Sequence, residues 1–91
     1  MSSLTQFSMG GIKSIQRGVI TISSGSTTNT ATITSVDTTK TELRVLGVGI
    51  NANDVTYLPY AVLTNATTIT ATRLASPTNV SYVSWELTER Y

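Results

Sequence analysis

Thr68-Ile69-Thr70-Ala71-Thr72 sets a hydroxyl against an aliphatic side chain at every step. A period of two over five residues is that of a strand with one face toward a core and one toward water. The same grammar recurs at Thr30-Ala31-Thr32-Ile33-Thr34 and Val19-Ile20-Thr21-Ile22. A further stretch from Val80 to Glu89 sets Val83, Trp85 and Leu87 against Tyr82, Ser84, Glu86 and Thr88. No amphipathic helical period of useful length interrupts these segments.

Working outward, the expected strands are Lys13 to Ser23, Thr30 to Val36, Thr41 to Val48, Tyr60 to Thr64, Thr67 to Leu74 and Val80 to Glu89. Polar turns separate them at Ser24 to Asn29, at Asp37-Thr38-Thr39-Lys40, at Asn51 to Asp54, around Asn65 and at Ala75 to Asn79. Asp37 suits an Asx-turn, and Leu63 to Thr68 reads as a tight hairpin. Six short strands with polar turns predict an all-β chain, a single antiparallel β-sandwich or small barrel, for which sequential hairpins are the simplest wiring. In the third strand Leu43, Val45, Leu46 and Val48 occupy both phases of the alternation. That predicts either a central strand, buried on one side in the core and on the other in a subunit contact, or a bulge near Gly47 or Gly49. Residues 1–11 read as an extended N-terminal arm carrying Phe7, and residues 12–91 as the sandwich domain.

Composition narrows the function. The chain of 91 residues has no histidine and no cysteine. Their absence removes the usual general base, thiol nucleophiles, disulfides and most transition-metal sites. A serine nucleophile would have only Lys13 or Lys40 as its base, and neither sits in a recognisable motif. Glu86 and Glu89, three apart on a strand, point to opposite faces and make a poor carboxylate pair. Asn51, Asn53 and Asp54 offer oxygen ligands, but one carboxylate is too little charge for a calcium site. Asn65-Ala66-Thr67 and Asn79-Val80-Ser81 match the glycosylation pattern, as a chain so rich in Ser and Thr does by chance. No catalytic residue, cofactor or metal is expected.

Six basic and five acidic residues leave a net charge of +1, which names neither nucleic acid nor an anionic membrane as partner. No apolar run approaches the roughly 18 residues of a spanning helix, and Met1 to Gly11 lacks the features of a signal peptide, so synthesis in a cytoplasm is the expectation. A domain of this size buries only roughly 60 to 65 per cent of its unfolded surface, which makes self-association a natural route to further burial. The candidate assembly contacts are Phe7, Ile12, Ile15, Arg17, Arg44, Leu46 and Val48. Tyr57 and Tyr60, beside Pro59, and Trp85 are candidate contacts for a glycan or a partner, although Trp85 shares the Val83 and Leu87 face and core packing is its stronger reading.

Three strings, Gly11-Ile12-Lys13-Ser14-Ile15-Gln16-Arg17-Gly18-Val19-Ile20-Thr21-Ile22, Thr30 to Thr38 followed by Glu42-Leu43-Arg44, and Leu63 to Arg73, together resemble a group of small virion proteins of tailed bacteriophages. In that group they are tail-associated, fibre-associated or capsid-decorating modules, with a β-sandwich similar to the H-type lectin domain. Trp85 in Val83-Ser84-Trp85-Glu86-Leu87 matches the final-strand tryptophan of those lectins. The resemblance implies a homo-oligomer, often a trimer, located on the virion beside other virion proteins, and it raises host-surface glycan as a further partner. Those lectins usually continue past the tryptophan into a small residue and glycine, whereas this chain reads Glu86-Leu87-Thr88-Glu89-Arg90-Tyr91. Ligand residues are therefore not carried over. The leading expectation is a structural virion module, with a carbohydrate-binding host-recognition module as the alternative.

Overall fold

The computed structural model describes residues 11–50, 58–74 and 79–91. Six strands lie among them: β1 (Ile12–Ile22), β2 (Thr28–Thr32), β3 (Thr41–Ile50), β4 (Tyr60–Asn65), β5 (Thr68–Thr72) and β6 (Ser81–Arg90). They form two antiparallel three-stranded sheets, β1-β6-β3 and β2-β5-β4, which face one another as a sandwich. The all-β expectation holds, and each predicted strand overlaps an observed one.

The wiring is not a run of sequential hairpins. Only β4 and β5 are neighbours both in the chain and in a sheet. Strand length supplies the physical reason: β1, β3 and β6 have 11, 10 and 10 residues, and β2, β4 and β5 have 5, 6 and 5. A β1–β2 hairpin would leave half of β1's backbone groups without ladder partners, and pairing long with long satisfies them. The second strand also stops earlier than its alternation suggests. Its partner β5 begins at Thr68, so beyond Thr32 the chain bonds instead to the β4–β5 turn, Ile33 N–H to Thr67 O at 2.9 Å and Val36 N–H to Ala66 O at 3.0 Å. Ile33 and Val36 are buried all the same.

The core is built from both inner faces: Ile20, Ile22, Val83, Trp85 and Leu87 from the long sheet, Ile69 and Ala71 from the short one, closed by Ile33 and Val36. Burying a side chain of the larger kinds contributes roughly 1.5–3 kcal/mol. Two charged residues lie inside with them. Arg73, 1% exposed, donates through Nε to Ser26 O, through Nη2 to Ser23 O and through Nη1 to Ser81 Oγ, which ties the β1–β2 turn to the start of β6. Glu89 accepts from Asp37 N–H at 2.8 Å and Ser14 Oγ at 3.3 Å, with Lys13 Nζ 3.9 Å away. Asp37 in turn caps the short 3-10 turn Thr38–Lys40, accepting from Thr39 N–H and Oγ1 as an Asx-turn should. The Thr39 hydroxyl and then its N–H hold the Asp37 carboxyl below its usual range.

The third strand is neither central nor buried on both faces. It is an edge of the long sheet, and its double apolar phase comes from a bulge between Val45 and Gly47. Before the bulge Leu43 and Val45 oppose the inward Leu87 and Trp85. After it Val48 opposes the inward Val83. One extra residue, Leu46, shifts the apolar set from odd to even positions of the inward register, of which Leu43 packs against the core while Val45 and Val48 stay exposed at the edge. Residues 1–10, with most of the expected arm and Phe7, lie outside the described residues, as do the Asn51 to Asp54 loop and Tyr57.

Candidate assembly surface

Strand β6 is the axis of the long sheet, and its burial alternates strictly through Trp85 and Leu87. Its outward residues are Tyr82, Ser84, Glu86, Thr88 and Arg90. Register then places neighbours beside them: Arg17 and Arg44 flank Glu86, Val19 and Gly47 flank Ser84, and Thr21 and Gly49 flank Tyr82. Ile15 lies beside Thr88 and Ile12 beside Arg90. Ile12 and Ile15 are three apart and would ordinarily face opposite ways. A register shift at Lys13, between Ile12 and Ser14, brings both to the outer face.

An ionic row crosses the sheet at its middle. Arg17 donates from Nε to Glu86 Oε2 at 2.8 Å and holds Nη2 at 2.8 Å from the same oxygen, while Arg44 Nη1 stands 4.0 Å from Oε1. The Glu86 side chain is mostly covered and both arginines are exposed. Such a pair is worth about 0–1 kcal/mol to the fold, so its larger consequence is to hold Arg17 and Glu86 flat on the face with Arg44 alongside. Of the two candidate contacts, Arg17 is thus tied within the chain to Glu86, while Arg44 stands beside the same carboxylate at 4.0 Å.

On either side of that row apolar side chains stand open among polar ones: Val19 is 61% exposed, Ile12 55%, Ile15 44% and Tyr82 47%. Leu46 at the bulge and Val48 beyond it add exposed area along the β3 edge. Tyr82 lies over Gly49, where a Cβ would overlap the ring. Only glycine permits that seat, an aromatic ring covering a bare stretch of edge strand. The alternation of β6 places Tyr82 outward, as the sequence reading had it, and its seat over Gly49 depends on a register that the bulge sets. Four of the candidate contacts, Ile12, Ile15, Arg17 and Arg44, share this face, with Leu46 at the bulge and Val48 exposed along the β3 edge strand.

The aromatic candidates separate. Trp85 is 5% exposed, with its ring against Gly18, where a Cβ would come within 2.7 Å of Cζ2. It offers no stacking face to a ligand, because its position on β6 turns it into the core. Tyr60, 53% exposed, lies on the outer face of the other sheet beside Thr72, with Thr28 on the far side of Thr72. That face continues with Thr30, Thr70 and Val62, then Thr32 and Thr68, and Thr64 bonds hydroxyl to hydroxyl with Thr70. Among the described residues no three metal-ligating side chains converge, and no helix is long and apolar enough to cross a membrane.

Fold and surface together define a two-sheet antiparallel sandwich with an ion-braced apolar face on one side and a threonine face on the other. No family model, curated protein or solved structure matches the chain.

Proposed function

We propose that this chain is a non-enzymatic structural module of a bacteriophage particle, a homo-oligomeric β-sandwich on the virion exterior serving as capsid decoration or as a tail- or fibre-associated part. The observation that carries the reading is the outer face of the long sheet, where Ile12, Ile15, Val19 and Tyr82 stay open around the Arg17–Glu86–Arg44 row. Exposed apolar side chains on both sides of paired charges are the anatomy of a protein contact. The resemblance of the three sequence strings to small virion proteins supplies the setting. Assembly is then the whole mechanism: copies and neighbouring virion proteins cover the patch, and the ionic row fixes their orientation.

A second reading, a glycan-binding module, draws on Tyr60, an exposed ring among threonine hydroxyls. Adding purified protein to particles that lack it separates the two. The structural reading expects saturable incorporation that Val19→Asp abolishes and Tyr60→Ala leaves intact. Glycan-array binding lost in Tyr60→Ala, with no incorporation, reverses the choice.

A further inference from the structure

The open edge of β3 is the place where the chain is complementary to itself. Its sole ladder partner among the described residues is β6. The other edge of the same sheet is partly closed: Asn29 Nδ2 donates to Thr21 O at 2.7 Å, and the Gln16 amide clasps both backbone groups of Thr34. β3 instead carries Glu42 and Arg44 two residues apart, on the outer face on either side of Leu43. Among the six strands, β3 alone puts opposite charges at such a spacing on an edge.

We propose that two copies pair antiparallel along β3 about a two-fold axis through Leu43, joining their long sheets into one sheet of six strands. This rests on the reading of the chain as a self-assembling module and names the contact. In that register Glu42 of each copy lies directly opposite Arg44 of the other, on the same face, at the roughly 4.5–5.5 Å Cβ spacing of cross-strand neighbours. Leu43 meets Leu43, and Thr41 meets Val45. The charges are free to re-pair, since Glu42 reaches Arg90 only at 3.7 Å and Arg44 reaches Glu86 only at 4.0 Å, against 2.8 Å for Arg17. The bulge after Val45 ends the regular segment, so the contact spans Thr41 to Val45 and closes on itself instead of propagating as a fibre. A two-fold contact gives even-numbered assemblies, a dimer alone or paired rings if a three-fold contact also exists.

Sedimentation of the full chain with charge-reversed variants tests the pairing. Glu42→Lys and Arg44→Glu each set like charges opposite one another twice per contact, so each alone should self-associate roughly tenfold or more weakly than wild type. An equimolar mixture of the two should recover wild-type association, because the reversed charges then meet opposite partners. Wild-type assembly that neither reversal weakens, or a mixture that does not recover, overturns the β3 contact and leaves the assembly reading standing. An assembly built only of trimers also overturns the contact, and a wild-type chain that stays monomeric at millimolar concentration overturns both. Should a reversed variant fail to fold, oxidation of Leu43→Cys decides, since the chain has no native cysteine. A covalent dimer at Leu43→Cys and none at Val62→Cys, on the opposite sheet, supports the register, and equal cross-linking at the two sites overturns it.

Discussion

The two sheets obey one rule on the inside and two on the outside. Inward, β6 and β5 alternate alike, with Val83, Trp85 and Leu87 facing Ile69 and Ala71 across a common core. Outward, the short sheet repeats threonine, while the long sheet shows isoleucine, valine, tyrosine and a braced ionic row. Threonine keeps a strand in strand conformation and its surface wetted at little cost, so that face stabilises the sheet. The contrast teaches that the interior code specifies the sandwich, and the exterior codes assign each face its own work.

The largest test is of the shared interior. Leu87→Ala and Ile69→Ala remove fully buried side chains from the two sheets, and each should cost about 3 kcal/mol in denaturant unfolding. Similar losses bear out a single core. A cost below about 1 kcal/mol for Ile69 alone would mean that the short sheet is merely appended.

Next come the glycines of the long sheet, which separate its inner face from its outer edge. Gly18→Ala drives a methyl into the Trp85 ring and should destabilise by about 2 kcal/mol, while Gly47→Ala, with nothing within 4 Å of its Cβ, should be neutral or slightly stabilising. Equal penalties in thermal unfolding would erase the distinction between the packed and open sides of that sheet.

The outer faces should differ in assembly more than in stability. Val19→Ser and Thr70→Val are each expected to shift unfolding by no more than about 0.5 kcal/mol. Sedimentation or particle binding should weaken for Val19→Ser and stay unchanged for Thr70→Val. The opposite pattern would move the contact surface to the short sheet.

The smallest effect belongs to Asp37. Its carboxyl is held below its usual range by the Thr39 hydroxyl and N–H, so its charged form adds stability that is present above the unfolded-state value and is lost as pH falls through the folded one. The stability gap between wild type and Asp37→Asn should therefore narrow on acidification in pH-dependent thermal unfolding. A gap constant down to strongly acidic pH would remove the charge from the account.

Strand positions were legible because alternation is local, and the inward sets Ile20 and Ile22, Ile69 and Ala71, and Val83, Trp85 and Leu87 could be read directly. Strand order was not, because pairing β1 with β6 joins the first and last strands, as the bond from Tyr91 N–H to Gly11 O shows. The assembly face was legible in part. Leu43 to Val48 announced a phase shift whose cause could be burial or a bulge, and the sequence alone did not choose. Arg73 carried no signal at all, since its partners are carbonyls of Ser23 and Ser26, far earlier in the chain. Tyr82 could be placed outward, but its seat over Gly49 follows from the bulge-set register.

Trp85 has a consequence for how the molecule can be watched. It is the single tryptophan of the chain, buried, with an indole N–H that finds no hydrogen-bond partner among the described residues. An indole so shielded from water emits at short wavelength, and its spectrum moves to the red only when the core opens. Partners that gather on the outer face meet the side of β6 opposite its ring. The emission colour of one residue therefore reports folding, and light scattering reports association, so the two can be followed separately in a single cuvette.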